Sequence, residues 1–358
     1  MRRLFFLLII LLPLTSSSQE WRYIHPYKGV NIFTRLTLAY DNNIYKYSQN
    51  EIDKFVNNIE PYRYPIETYD DLITTMQIHA KIRGEIIKNN SSTLNLRIRG
   101  NLFYKNKEKN YESYSLSIWQ KAGKNGHILL RYLFLPEFLI RHYADFDIES
   151  PYSYPYFAEC TFTKHDARVE GGYTFFRSTD ISLFFAHEID DYIDNFDEYD
   201  TKKNTFGVSL SRPFGAIFTP TARYSFSRAV AEAVDEPGEV RAMSDDSDIS
   251  NDEDEVVFAT DFDFTKTVPF LLQADLEFTR RVYTTDKPIL VDPYHAGRED
   301  KKIFLRFQTS FVPTERISLD VGYLFETKSV YSPYNVELIE EVKNYNKSTV
   351  YTNIQISY

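Results

Sequence analysis

From Val30 to Tyr358 the chain alternates hydrophobic and polar side chains in short runs, the period of two that a β-strand imposes. The last residues show it cleanly: Val350, Thr352, Ile354, Ile356 and Tyr358 share one face, and Tyr351, Asn353, Gln355 and Ser357 the other. Upstream, Ile32, Leu36, Leu38 and Tyr40 alternate with Asn31, Phe33, Arg35 and Thr37. Met76, Ile78, Ala80 and Ile82 alternate with Gln77, His79, Lys81 and Arg83, and Leu94, Leu96, Ile98 and Leu102 with Asn95, Arg97, Arg99 and Asn101. The same pattern sets Tyr114, Leu116 and Ile118 against Ser113, Ser115 and Ser117, and Ala274, Leu276 and Phe278 against Gln273, Asp275 and Glu277. It returns as Ile303, Leu305 and Phe307 against Lys302, Arg306 and Gln308, and as Ile317, Leu319, Val321 and Tyr323 against Ser318, Asp320 and Gly322. The stretch Tyr156–Phe176 reads as one long strand and not as a hairpin turning at His165-Asp166.

The connections come in two kinds. Short turns fall near Lys88–Ser92, Lys121–Gly126, Arg177–Asp180, Arg212–Pro220, Lys266–Pro269 and Val312–Arg316. Long polar segments fall near Asp41–Asp71, Ile140–Tyr154, Asp190–Asn204, Ala229–Glu253, Tyr283–Asp300 and Glu326–Lys347. Lys105–Asn110 is short but takes the place of a long one. Strict alternation of short and long connections, with one nearly uncharged face per strand, is the pattern of a barrel that presents every second side chain to lipid. The expected fold class is therefore all-β: a transmembrane antiparallel up-and-down β-barrel of about fourteen strands, within a range of twelve to sixteen. A soluble sandwich or propeller is the alternative. A soluble chain of this length more often divides into domains, and no linker or repeat divides this one.

The alternating hydrophobics Val350, Ile354 and Ile356 before a terminal aromatic, Tyr358, resemble the C-terminal assembly signal of bacterial outer-membrane β-barrel proteins. Many members of that class end in Phe or Trp, so Tyr358 is a variant of the pattern. The resemblance covers Val30–Tyr358, is to the class and not to a particular family, and implies porin-like architecture. It also implies three partners, namely a lipid bilayer, the outer-membrane barrel insertion machinery and small solutes.

The N-terminus fits export. Met1-Arg2-Arg3 is basic, Leu4–Leu14 is an almost unbroken apolar run, and Thr15–Ser18 supplies small residues. That order is what signal peptidase reads, and the run is far shorter than the ~20 residues of a membrane-spanning helix. The expected organisation is a signal peptide over 1–18, a periplasmic segment over 19–29 and an outer-membrane barrel over 30–358.

Composition refines this picture. Tyr and Phe number 28 each, an excess compatible with aromatic girdles at the membrane interfaces. A net charge of -10 argues against nucleic acid as a partner. Cys160 stands alone, so no intramolecular disulfide forms, and its simplest role is a small apolar residue on a strand. With only a short segment ahead of the first strand, a water-containing lumen narrowed by long side chains or an infolded loop is expected.

The charges predicted to line that lumen are segregated. Arg35, Lys81, Arg83, Arg97 and Arg99 form a basic wall, and Asp261, Asp263, Asp275, Glu277 and Asp320 an acidic one. Facing each other in a weakly screened bore, such walls would orient charged solutes; paired with each other, they would merely brace the barrel. In the acidic run before Glu255, Asp246, Asp248 and Asp252 alternate in a way that could offer oxygen ligands to calcium. An EF-hand's central glycine and closing glutamate are missing, and a solvated loop explains the same residues. The seven histidines are dispersed. Only His165-Asp166 and His187-Glu188 adjoin carboxylates, and adjacent strand residues point to opposite faces. No nucleophile elbow, zinc-protease or phosphate-loop motif is present. Neither an enzyme, a catalytic residue nor a cofactor is expected. The function read from sequence is a porin-like channel for small hydrophilic solutes, or alternatively a surface-exposed binding or structural barrel acting through its long loops.

Overall fold

The computed structural model describes residues 29–145, 154–234, 247–334 and 339–358. The expected signal peptide therefore lies outside the described residues. Along the first half run β1 (Gly29–Asp41), β2 (Asp71–Ile87), β3 (Asn90–Phe103), β4 (Tyr111–Ala122), β5 (Gly126–Asp145), β6 (Tyr156–Thr174) and β7 (Asp180–Tyr192). The second half supplies β8 (Thr201–Ser211), β9 (Phe218–Ala231), β10 (Asn251–Asp263), β11 (Phe270–Tyr283), β12 (Glu299–Thr314), β13 (Ile317–Tyr331) and β14 (Tyr345–Ser357). Two short helices lie in connections, α1 (Gln49–Val56) between β1 and β2 and α2 (Ile339–Lys343) between β13 and β14. Every strand pairs antiparallel with its sequence neighbours, and β1 closes on β14 from Phe33–Ser357 to Asp41–Thr349. The fourteen strands thus form one closed up-and-down barrel, with β6 continuous through His165-Asp166.

The exposed face explains the closure. Leu36, Met76, Leu96, Leu116, Leu130, Val208, Phe258, Leu272, Phe307, Val321 and Ile354 all point outward and stay exposed. A continuous apolar belt on a closed sheet, with every backbone group paired around the ring, is what a lipid bilayer accepts. Toward the long loops the belt ends in tyrosines whose hydroxyls reach the first polar groups beyond it. Tyr40 donates to Asp70 at 2.6 Å, Tyr224 to Asp254 at 2.7 Å and Tyr114 to Glu112, and Tyr323 meets Ser348 at 2.9 Å. At the short-turn end Tyr173, Phe175, Phe176, Phe214, Phe270 and Tyr358 are exposed. Amphipathic rings at two levels suit the two membrane–water interfaces. From Tyr40 down to Ile32 is about nine residues of strand, the length a tilted strand needs to cross the hydrocarbon core.

The strands run further into the long connections than their hydrophobic pattern indicates. The β9–β10 connection occupies 232–250, not Ala229–Glu253, and β5, β12, β13 and β14 likewise extend to Asp145, back to Glu299, to Tyr331 and back to Tyr345. Charged residues that read as loop are strand residues whose inward side chains find partners across the sheet. Lys328 meets Asp300 at 3.3 Å, Lys347 meets Asp41 at 2.6 Å and Arg281 meets Glu253 at 2.7 Å.

Two local devices shape the interior. Pro136 cannot extend a hydrogen-bond ladder, and β5 shifts register between Leu135 and Phe138 and again between Leu139 and Arg141. After these bulges Arg141 and Tyr143 lie opposite Cys160 and Ala158, and Cys160 itself is a fully buried free thiol. On β13, Gly322 leaves its inward side open: any Cβ there would strike the Tyr351 ring. Tyr351 uses that gap to cross β13 and donate to Gln308 of β12 at 2.8 Å.

Candidate functional site: the inward face and the mouth under the loops

The ten charged residues of the two expected walls all occupy the face opposite the apolar belt. On β1–β3, Arg35 and Arg99 lie in one row on either side of Gln77, and Arg97 lies opposite His79. Beside them β4 contributes the serines 113, 115 and 117, and β14 contributes Asn353 and Gln355. Arg35 donates to Gln355 at 2.8 Å, and Arg99 to Asn101 at 3.1 Å. Lys81 is buried at 2% exposure, so its charge belongs to the packed wall more than to the bore.

The acidic residues differ in kind. Asp275 is paired with Arg306, and Glu277 with Lys302 at 2.9 Å, both cations coming from β12. Asp261 accepts from Gln273 at 3.0 Å. Asp263, at the strand's end, accepts the backbone N–H of Thr265 and holds the turn to β11. Asp320 accepts from Ser318 at 2.7 Å and approaches Arg35 at 4.0 Å, so the two walls meet there. The acidic side is therefore largely neutralised by its neighbours, whereas the residues adjoining the basic wall on β4 and β14 are neutral.

Ion pairs continue round the inner face. Lys164 bridges Glu188 at 2.8 Å and Asp190 at 3.1 Å, Glu253 holds Lys203 at 2.9 Å, Arg223 meets Glu255 at 2.7 Å, and Arg131 meets Asp166 at 2.7 Å. These groups are inside a closed barrel, yet Arg131, Lys302 and Arg281 keep 33%, 34% and 39% of their side-chain surface accessible. A packed protein core leaves no such space.

Toward the long loops the bore fills. An infolded loop is expected, but its residues cannot be named from the sequence, because they are scattered among connections that look merely polar. The β1–β2 loop turns inward: Asn43, Ile44, Tyr45, Tyr47, Ser48 and Glu51 are all buried. Ser48 and Glu51 form a reciprocal capping box that starts α1. Glu51 then reaches across to Arg141 of β5 at 2.8 Å, which also donates to the Lys46 carbonyl at 2.9 Å. In the other direction Lys46 meets Glu326 of β13 at 2.7 Å. Arg141 packs over the rings of Tyr47, at 4.7 Å, and Tyr143, at 5.7 Å. Phe196 and Tyr199 of the β7–β8 connection close on Tyr143 edge-on. Lys343 of α2 lies 5.1 Å over that same ring, so the β13–β14 connection reaches a strand six places away around the barrel.

The β3–β4 connection is pinned by one lysine. Lys109 is 5% exposed and donates to the carbonyls of Leu139 and Ile140, each at 2.9 Å, with Tyr45 4.5 Å beneath it. Burial pushes its ammonium down to about 7. Unfolded lysine titrates near ~10.4, so between those values the unfolded chain binds more protons and stability rises with pH. Below about 7 both states are charged and that contribution is lost. We expect the difference in urea midpoint between wild type and Lys109→Met to move in favour of wild type between about pH 7 and about pH 9.5. A pH-independent difference would contradict this placement of the titration.

The two described calcium candidates, Asp248 and Asp252, are not brought together. Asp246 lies outside the described residues. Asp248 accepts from Ser250, and its own N–H donates to Asp292. Asp252 is on the outward face of β10, paired with Arg228 at 2.8 Å. Of the histidines, His165 meets the hydroxyl of Tyr132, His187 meets Asn204, and His295 meets Asp292.

No family model matches the chain, and no curated protein matches it. Among solved structures it is similar to the outer membrane channel DcaP of Acinetobacter baumannii, at 10% identity and a TM-score of 0.47 over 92% of this chain and 97% of that one. It is also similar to an anion-selective porin from Comamonas acidovorans, at 6% identity and 0.44 over 92% and 98%. A third similarity is to the outer membrane protein opdK from Pseudomonas aeruginosa, at 9% identity and 0.41 over 92% and 99%. The chain is a closed fourteen-stranded antiparallel barrel with the lipid-facing belt of a transmembrane protein.

Proposed function

We propose that this barrel is a porin-like channel of the outer membrane for small hydrophilic solutes, exported by residues 1–18 and narrowed at its mouth by the infolded β1–β2 loop. One observation carries the reading: ion-paired side chains on the inward face keep about a third of their surface accessible, as in Arg131 and Lys302. Water therefore has room beside the charges that line the bore, and a hydrophilic solute finds the same polar surface. The alternative, a barrel acting through outward-projecting loops, is less well supported because its longest loop packs inward through Tyr45, Tyr47 and Glu51.

The test is single-channel recording of refolded protein in a planar bilayer. Discrete, stable steps whose size scales with salt are the expected result; silence from inserted, heat-modifiable protein would refute a conducting pore. The basic wall of β1–β3 is the proposed source of selectivity. In a watery bore a unit charge ~10 Å away contributes about 0.4 kcal/mol, opposite in sign for an anion and a cation, or about a fourfold change in their relative permeability. Arg97→Ala with Arg99→Ala should therefore lower the anion-to-cation permeability ratio by about sixteenfold at low salt. An unaltered reversal potential would remove these two residues from the selectivity path.

A further inference from the structure

We propose that the mouth of the barrel contains an anion-binding site, formed by Arg141, Arg298, Lys328 and Lys343 where α2 crosses the bore, for a small oxyanion with a carboxylate or phosphate group. It deepens the channel reading by naming a solute class, and rests on that reading for the ion's route though not for its binding.

The carboxylates in this cluster are already engaged. Glu51 is held by Arg141 at 2.8 Å, and Asp300 by Arg298 at 2.7 Å and by Lys328 at 3.3 Å. Among these described residues four cations share two carboxylates, and the nearby carboxylate of Asp292 is held by His295 at 3.0 Å. Lys343 is the group left over: among the described residues no carboxylate oxygen lies within 4 Å of its ammonium, and its neighbour is the Tyr143 ring at 5.1 Å. The charges of Arg141, Arg298 and Lys328 all act on it.

The surroundings favour an anion over water. Lys343 is half-buried. Burial first, and then the neighbouring cations, push it down to about 7. An anion seated there would relieve that repulsion and keep the ammonium charged. The fixed neighbours help, because Arg141 and Arg298 are locked by their own carboxylates and by the Tyr47 and Tyr283 rings, at 4.7 Å and 4.6 Å. A preorganised cluster of cations binds an oxyanion with little further loss of side-chain freedom.

Equilibrium dialysis of the refolded full chain against labelled inorganic phosphate, and separately against labelled succinate, tests the site at low salt and about pH 6. Wild type should bind at least one of them saturably. Lys343→Gln and Lys343→Met should bind about tenfold more weakly, Lys343→Arg should retain binding, and Lys202→Gln on the exposed rim should match wild type. Heat-modifiable migration verifies folding, and two neutral variants guard against one failing to fold. Which anion binds assigns phosphate or carboxylate as the class. Absence of binding by both anions, or binding that ignores loss of the Lys343 charge, overturns the site. Binding without conductance would instead refute the channel and leave the site standing, and conductance without binding would do the reverse.

Discussion

Replacing Arg141 with alanine is expected to release the β1–β2 loop from the mouth while the barrel stays closed. Arg141 carries three attachments of that loop at once: the Glu51 carboxylate, the Lys46 carbonyl and the face of Tyr47. Removing one partner of a buried ion pair strands the other, at a cost of about 3–5 kcal/mol. The rest of the loop's docking is the Lys46–Glu326 pair, the bond from Asn43 to the Asn346 carbonyl and the small cluster of Ile44, Tyr45, Tyr47 and Tyr64 against Phe103, and Glu51 left buried opposes it. The barrel itself loses little, since its closure depends on backbone ladders that the substitution leaves untouched. Two readouts follow. Protease should cut within residues 42–70 of Arg141→Ala and spare wild type, and unitary conductance should rise because the loop no longer occupies the bore. Adding Glu51→Ala to Arg141→Ala should recover much of the protection, because the stranded carboxylate is then gone. If Arg141→Ala matched wild type in both protease resistance and conductance, the loop would be held by something other than this contact.

Much of the barrel is legible in the sequence because lipid enforces a period of two with few exceptions. The outward positions of β1, β3 and β14 can be read directly, and so can the short turns, where Gly123 and Gly215 adopt positive φ. What misleads is charge. Hydropathy takes the run from Asp252 to Glu255 as loop, but on β10 its members alternate between Arg228 and Tyr224 outside and Arg281 and Arg223 inside. A strand emerging above the membrane carries charges on either face when its neighbours supply the partners. That information lies in residues 24 or more positions away, beyond any local window. The mouth is illegible for the same reason: Arg141, Glu51 and Lys343 come from β5, α1 and α2. Only the closed topology brings them together. The capping box at Ser48 and Glu51 was the one local signal of order in the long first loop.

The sharpest test of which face meets lipid compares two adjacent residues of β4. Leu116 points outward at 39% exposure, flanked in register by Leu96 and Tyr132, which are 43% and 42% exposed. Ser115 points inward, opposite Arg97. Leu116→Arg places a charge on the apolar belt, where an arginine near the bilayer midplane costs about 2–4 kcal/mol. Ser115→Glu places a charge beside Arg97 in the bore, where an opposite neighbour and water offset its desolvation, and should change stability by less than about 1 kcal/mol. Urea unfolding in lipid vesicles reads both. The cost of Leu116→Arg should shrink when detergent replaces the bilayer, because a micelle deforms around the guanidinium more readily than a membrane thins. Equal costs for the two substitutions in vesicles would show that the leucine face does not meet hydrocarbon, and the belt would then have to be explained as a protein interface.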